Sequence, residues 1–165
     1  MIEKIEGLVE ALRNELQHYG EMLALLDQQQ ELVAARAAQD LLQSIADIQA
    51  QGLTIQAARG HREACRRGLA QQLLQPSDIA FNELILLLPA DYQPLVQALV
   101  QENNELLVRV QQRARQNHLL LSRSLELMQR FLTMMFPSRE TLVYNGNGAM
   151  LGPALPSRSI YDAVG

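Results

Sequence analysis

The chain has 165 residues, of which 48% are hydrophobic and 4% aromatic, and a formal net charge of −4. That length holds one domain, or one domain and a tail, and the acidic balance excludes a general nucleic-acid binder. Cys65 is the only cysteine, so no intrachain disulfide forms and a reducing compartment is expected.

The chain opens Met1-Ile2-Glu3-Lys4-Ile5-Glu6, charged from the outset with no apolar core of a signal peptide, so the cytoplasm is the expected location. A first helix follows with the seam Ile2, Ile5, Val9, Leu12, Leu16, Tyr19, Leu23 and Leu26, every step being three or four residues. Glu3, Glu6, Glu10 and Arg13 take the other side. At Asp27 the register falters. Either Asp27 and Gln30 form a capping box that starts a second helix, or one helix continues and changes its buried face.

The next helical stretch carries Leu41, Ile45, Ile48, Gly52 and Ile55, then Ala58, Cys65, Leu69 and Leu73. Gly52, Gly60 and Gly68 recur within it, each costing about 1 kcal/mol relative to alanine. They either admit a close neighbour or soften the helix. Arg59, Arg62, Arg66 and Arg67 cluster here around His61, a pattern that reads as a solvated face beside Glu63 or as a site for phosphate or an acidic partner.

Pro76-Ser77-Asp78 closes the stretch and offers caps for a short helix with Ile79, Leu84, Leu87 and Leu88, which Pro89 ends. This is also the longest apolar run, too short to span a bilayer, so no stable membrane insertion is expected. Residues 91–136 then read as one amphipathic helix, with Pro94 tolerated in its first turn. Its seam runs Leu107, Val110, Ala114, Asn117, Leu121, Leu125, Met128, Leu132, Met135. At ~1.5 Å per residue it is roughly 65–70 Å long. Asn103 and Asn117 fall on this seam, where an asparagine either is buried and fixes register by finding a partner or faces water near the end of the bundle.

The fold class expected is all-α: an elongated antiparallel helical bundle or coiled-coil hairpin over residues 1–136, with an irregular partner-binding tail over 137–165. The tail spaces Leu142, Tyr144, Met150, Leu155 and Ile160 among Gly, Pro, Ser and Asn. Such a segment does not offset its ordering entropy alone; it docks on the bundle or folds on a partner. Met134, Met135 and Phe136 before it form a soft apolar patch, or else cap the core.

Catalytic constellations are sparse. Glu15-Leu16-Gln17-His18 is a Glu-x-x-His of the kind that di-iron bundles use, but no second copy accompanies it. No Cys/His cluster suits zinc. Asn145-Gly146-Asn147-Gly148 follows no strand, so it is not a phosphate loop. No enzyme and no cofactor are expected.

The order of features resembles the FlgN-type flagellar export chaperones. The resemblance rests on Glu21-Met22-Leu23-Ala24-Leu25-Leu26, Asp40-Leu41-Leu42, Asn82-Glu83-Leu84 with Leu88-Pro89, and Asn117-His118-Leu119-Leu120 with Ser124-Leu125-Glu126-Leu127. Most telling is Thr141-Leu142-Val143-Tyr144-Asn145-Gly146-Asn147-Gly148 directly after the long helix. Asp40 and the Pro-rich extension past Gly152 depart from the pattern. The resemblance implies a cytoplasmic chaperone that binds the C-terminal helical segments of hook-associated subunits and hands them to export-gate components. It would bind through Phe131, Leu132, Met134, Met135, Leu142, Tyr144, Asn145 and Gly148. The competing expectation is a structural coiled coil that self-associates as a homo-oligomer with no client.

Overall fold

The structure, a computed structural model, describes residues 1–135. Four helices account for most of them: α1 (Ile2–Ala35), α2 (Ala38–Gln72), α3 (Phe81–Leu86) and α4 (Gln93–Met135). No strand occurs among the described residues. The chain divides into two compact units, Met1–Leu125 and Glu126–Gly165. The described part of the second is the C-terminal end of α4, and the expected tail lies outside the described residues.

Within the first unit, α1 and α2 are antiparallel. Lys4 Nζ reaches the Gly68 carbonyl near one end of the pair, and Gln51 Nε2 donates to the His18 carbonyl farther along. By contrast, α4 runs parallel to α1. Asn103 Nδ2 donates to the Leu12 carbonyl at 3.0 Å and Asn117 Nδ2 to the Leu26 carbonyl at 2.7 Å, both pairs being 91 residues apart. The two contacts lie two heptads apart on each helix, the repeat expected of a coiled-coil seam. An up-down-up bundle results, with α3 folded into one end of it.

The seam of α1 is a strict alternation of threes and fours: Ile5, Leu8, Leu12, Glu15, Tyr19, Met22, Leu26 and Gln29 are all buried. Of the expected seam, Ile5, Val9, Leu12, Tyr19 and Leu26 are buried and the other three positions are not. Leu16 and Leu23 are only half-buried and Ile2 is exposed, because the second column is led by Glu15 and Gln29 as well as by Leu8 and Met22. Apolar periodicity alone passes over polar residues that occupy core positions.

Two apolar clusters result. One joins Ile5, Leu8 and Leu12 to Leu69 of α2, Leu84 and Ile85 of α3, and Val96 and Leu99 of α4. The other joins Tyr19, Met22 and Leu26 to Ile55, with Ile48, Leu106, Leu107 and Val110 packed against it. Each fully buried aliphatic side chain contributes about 1.5–3 kcal/mol of transfer free energy.

Asp27 starts no helix. α1 continues through it, and its carboxylate pairs with Arg113 Nε of α4 at 2.8 Å. The helix ends instead at Arg36, in the left-handed region at φ 56°, where the Ala37 N–H bonds back to the Leu32 carbonyl. Two residues thus separate α1 from α2. The caps expected at Pro76-Ser77-Asp78 are unused: α3 begins at Phe81, and Leu87 stays exposed. At α4 the Tyr92 carbonyl takes the first helical bond and Pro94 sits in the first turn, while Gln93 Nε2 caps the Leu88 carbonyl at 2.8 Å. A Cβ added at Gly52, Gly60 or Gly68 meets nothing within 4 Å, so these glycines do not serve a close helix approach.

The two seam asparagines differ in what they leave behind. Asn103 bonds only backbone carbonyls, of Leu12 and Leu99, both inside helices, whereas Asn117 also satisfies the buried Gln29 Oε1. Replacing Asn103 by Leu is therefore expected to be neutral or stabilising by up to about 1 kcal/mol, while Asn117→Leu strands Gln29 and costs about 1–2 kcal/mol. Urea unfolding of the two variants checks the opposite signs.

Candidate partner-binding surface

The arginines of α2 are not a free basic face. Arg62 turns inward, its Nη1 3.3 Å from Glu15 Oε2, and Arg59 Nε lies 4.0 Å from Glu15 Oε1. Glu15 is 1% exposed and also accepts the Tyr19 hydroxyl at 2.9 Å. Burial pushes the Tyr19 phenol up to about 12, and its bond to Glu15 adds to the effect. The Arg62 guanidinium also lies over the Phe81 ring, 5.7 Å from its centre.

Arg66 is buried as well. Its Nη2 donates to the Ser77 carbonyl at 2.9 Å and its Nη1 to the Ile79 carbonyl, and its Nε bridges both Glu63 oxygens at 3.0 and 3.1 Å. Arg66 thus ties the α2–α3 connection to α2. Hydrogen bonding from Arg66 holds the Glu63 carboxyl below its ordinary value of 4.5. The reading of this cluster as a solvated face therefore holds for the exposed Arg59 and Arg67 but fails for Arg62 and Arg66. Their carboxylate partners are already in place within the chain.

The Glu-x-x-His pair divides between different partners. Glu15 faces the arginines, whereas His18 Nδ1 lies 3.0 Å from Glu21 Oε2, beside Gln51 of α2. Glu21 is held below its ordinary value by hydrogen bonds from Gln17, His18 and Gln51. Among the described residues no three His, Cys, Asp or Glu side chains converge in a way that suits a metal ion.

The end of α4 has a different character. Phe131, Leu132, Met134 and Met135 are all exposed, Phe131 at 60% and Met134 at 79%. They share the last turns with Leu127 and Met128, exposed too and not singled out from the sequence as binding residues. The signal for Leu127 was available: it lies one heptad before Met134. The seam expected to continue through Leu125, Met128, Leu132 and Met135 is present as a pattern, but no described residue covers it. Among the expected site residues, Leu142, Tyr144, Asn145 and Gly148 lie outside the described residues. No helix of the described residues is long and apolar enough to cross a membrane. A contiguous apolar face of this kind is adhesive, and methionine side chains let it adapt to different shapes.

Two predictions follow from the polar interior. Glu15→Ala leaves Arg62 and the Tyr19 hydroxyl without their acceptor and should cost about 3 kcal/mol, whereas the double variant Glu15→Leu/Arg62→Met should recover most of that loss. A double-mutant cycle in urea measures both. The lowered Glu63 contributes stability that is fully present above pH 4.5 and is lost as pH falls through its folded value. Glu63→Gln should therefore flatten the acid side of the stability–pH curve, read as urea midpoints on lowering the pH from neutrality.

Comparison with known proteins gives one family match: the model described as FlgN protein matches residues 1–152. No curated protein and no solved structure matches the chain.

Proposed function

Since the chain belongs to the FlgN family, a family of flagellar export chaperones, we propose that it binds hook–filament junction subunits in the cytoplasm. It keeps them from assembling prematurely and delivers them to the type III export apparatus. The observation that carries this reading is the exposed apolar end of α4. Large side chains there stay in solvent on a helix whose earlier seam residues, Val96 and Leu99, are buried. Leaving Phe131 and Met134 in water is unfavourable by roughly 25 cal/mol per Å² of apolar surface, a cost that a partner removes on binding.

The proposed mechanism is occupancy. Client termini that associate as amphipathic helices present an apolar stripe, and a groove or face of matching character binds that stripe. While it is bound, the client cannot use it for assembly. Mass action suffices, so no nucleotide is consumed and no bond is made or broken. In this reading Leu142, Tyr144, Asn145 and Gly148 extend the surface beyond Phe131, Leu132, Met134 and Met135. The Tyr144 ring would anchor in the partner while its hydroxyl keeps a hydrogen bond. Delivery requires the same region, or the tail, to meet the export gate.

The opposing reading is self-association through the same stripe without a client. Light scattering across a wide concentration range separates them: a monomer or weak, concentration-dependent associate accords with a chaperone, and a stable oligomer that resists dilution accords with self-association.

Deleting residues 138–165 should leave helicity and the unfolding midpoint of the bundle unchanged while abolishing binding to a hook-associated subunit or to the export gate. Calorimetry on the truncated and full-length chains provides the measurement. Undiminished affinity for both partners after the deletion would remove the tail from the site.

A further inference from the structure

We infer that the apolar face at the end of α4 is built to receive two partner helices at once, not one. This rests on the binding role proposed above and specifies the shape of the partner. The reference is α4 itself within the first unit. With Val96 as position a of a heptad, α4 turns a, d and e positions inward, where they join an apolar cluster built from two other helices. Leu106, Leu107 and Val110 share one cluster with Tyr19, Met22 and Leu26 of α1 and with Ile48 and Ile55 of α2. A helix meeting a single partner needs only the narrower a/d stripe.

The same positions recur in the second unit with large apolar residues at every one. Leu127 and Met134 are at d, Met128 and Met135 at e, and Phe131 at a, all exposed. Leu132 widens the face further, at position b. At ~100° per residue, Leu127 and Leu132 stand roughly 140° apart around the helix axis. One helix lying along α4 cannot cover both edges; two can. Glu126, Gln129, Arg130 and Thr133 make up the polar remainder.

Charge favours a different molecule over a second copy. Arg130 occupies position g, beside the d edge, and so does Arg123 one heptad earlier. An antiparallel copy sets arginine against arginine across the seam, and a parallel copy sets arginine against Met128 and Met135. Neither orientation gives an opposite-charge pair. A partner helix with acidic residues along its flank does, so the occupant is a pair of amphipathic helices of which the one on the d edge is acidic at its flanking positions.

The test uses one variant on each edge, Leu127→Ser and Leu132→Ser, in the full-length chain. Both side chains are exposed, so unchanged far-UV circular dichroism is expected and verifies folding. Affinity for a purified full-length hook-associated subunit is measured by calorimetry. A two-helix partner makes each variant weaken binding by at least about tenfold, as loss of a well-packed anchor does. Loss at one edge only, with the other variant binding like the parent, overturns the two-helix inference and leaves the chaperone reading standing. If neither edge matters while the parent binds, both the inference and the assignment of this surface fail. If the parent binds no hook-associated subunit, the proposed function itself fails.

Discussion

Two side-chain amides hold the first unit in register. Asn103 and Asn117 each reach across from α4 to a backbone carbonyl of α1, at positions two heptads apart on both helices. Hydrophobic burial is indifferent to a slip by one heptad, since leucine packs as well against the next leucine. A bond to one particular side chain is not indifferent: after a one-heptad slip each amide meets another helix carbonyl of the same kind, but Asn117 no longer reaches Gln29 Oε1, and that buried amide oxygen loses its donor. Axial position along α1 therefore comes from polar atoms, while most of the favourable free energy comes from the apolar residues around them.

The same division of labour explains why the interior is layered. Glu15 and Arg62 stand between the cluster that contains α3 and the cluster around Tyr19 and Ile55. A carboxylate this deeply buried is tolerable only because Arg62, Arg59 and the Tyr19 hydroxyl converge on it. The pair sets α2 against α1 much as the asparagines set α4 against α1. Arg66 does comparable work at the α2–α3 connection by donating to two carbonyls of a segment that has no regular structure of its own.

The helices themselves were legible from spacing, and so were the punctuation at Pro89 and the tolerance of Pro94. Asn103 and Asn117 interrupt an apolar seam, which suits a register residue or a polar residue facing water, and the structure buries both against carbonyls of α1. Where sequence and structure part, the cause is the same. Leu16 and Leu23 fit the apolar spacing as well as Met22 does and better than Glu15, whose charge suits solvent. The charges of Arg62 and Arg66 point to solvent in the same way. Only the tertiary pairing of Glu15 with Arg62, from residues 47 positions apart in the chain, makes burial of Glu15 and the inward turn of the half-buried Arg62 reasonable, and no local pattern encodes that. Asp27 was ambiguous because its carboxylate suits an N-cap and an interhelical ion pair equally well. At the far end of α4 the apolar spacing was plain in the sequence, whereas whether another helix covered it could be learned only from the packing.

The two-residue link at Arg36-Ala37 has a consequence for how the chain is made. α1 and α2 are neighbours in sequence as well as in space, so closing that hairpin costs little loop entropy, while α4 meets α1 across 91 residues. During synthesis the hairpin emerges complete, with Glu15 already facing Arg62, before any of α4 has left the ribosome. The nascent chain thus waits as a pair of helices with one charged contact made and one greasy flank open, and the last helix to be translated closes that flank.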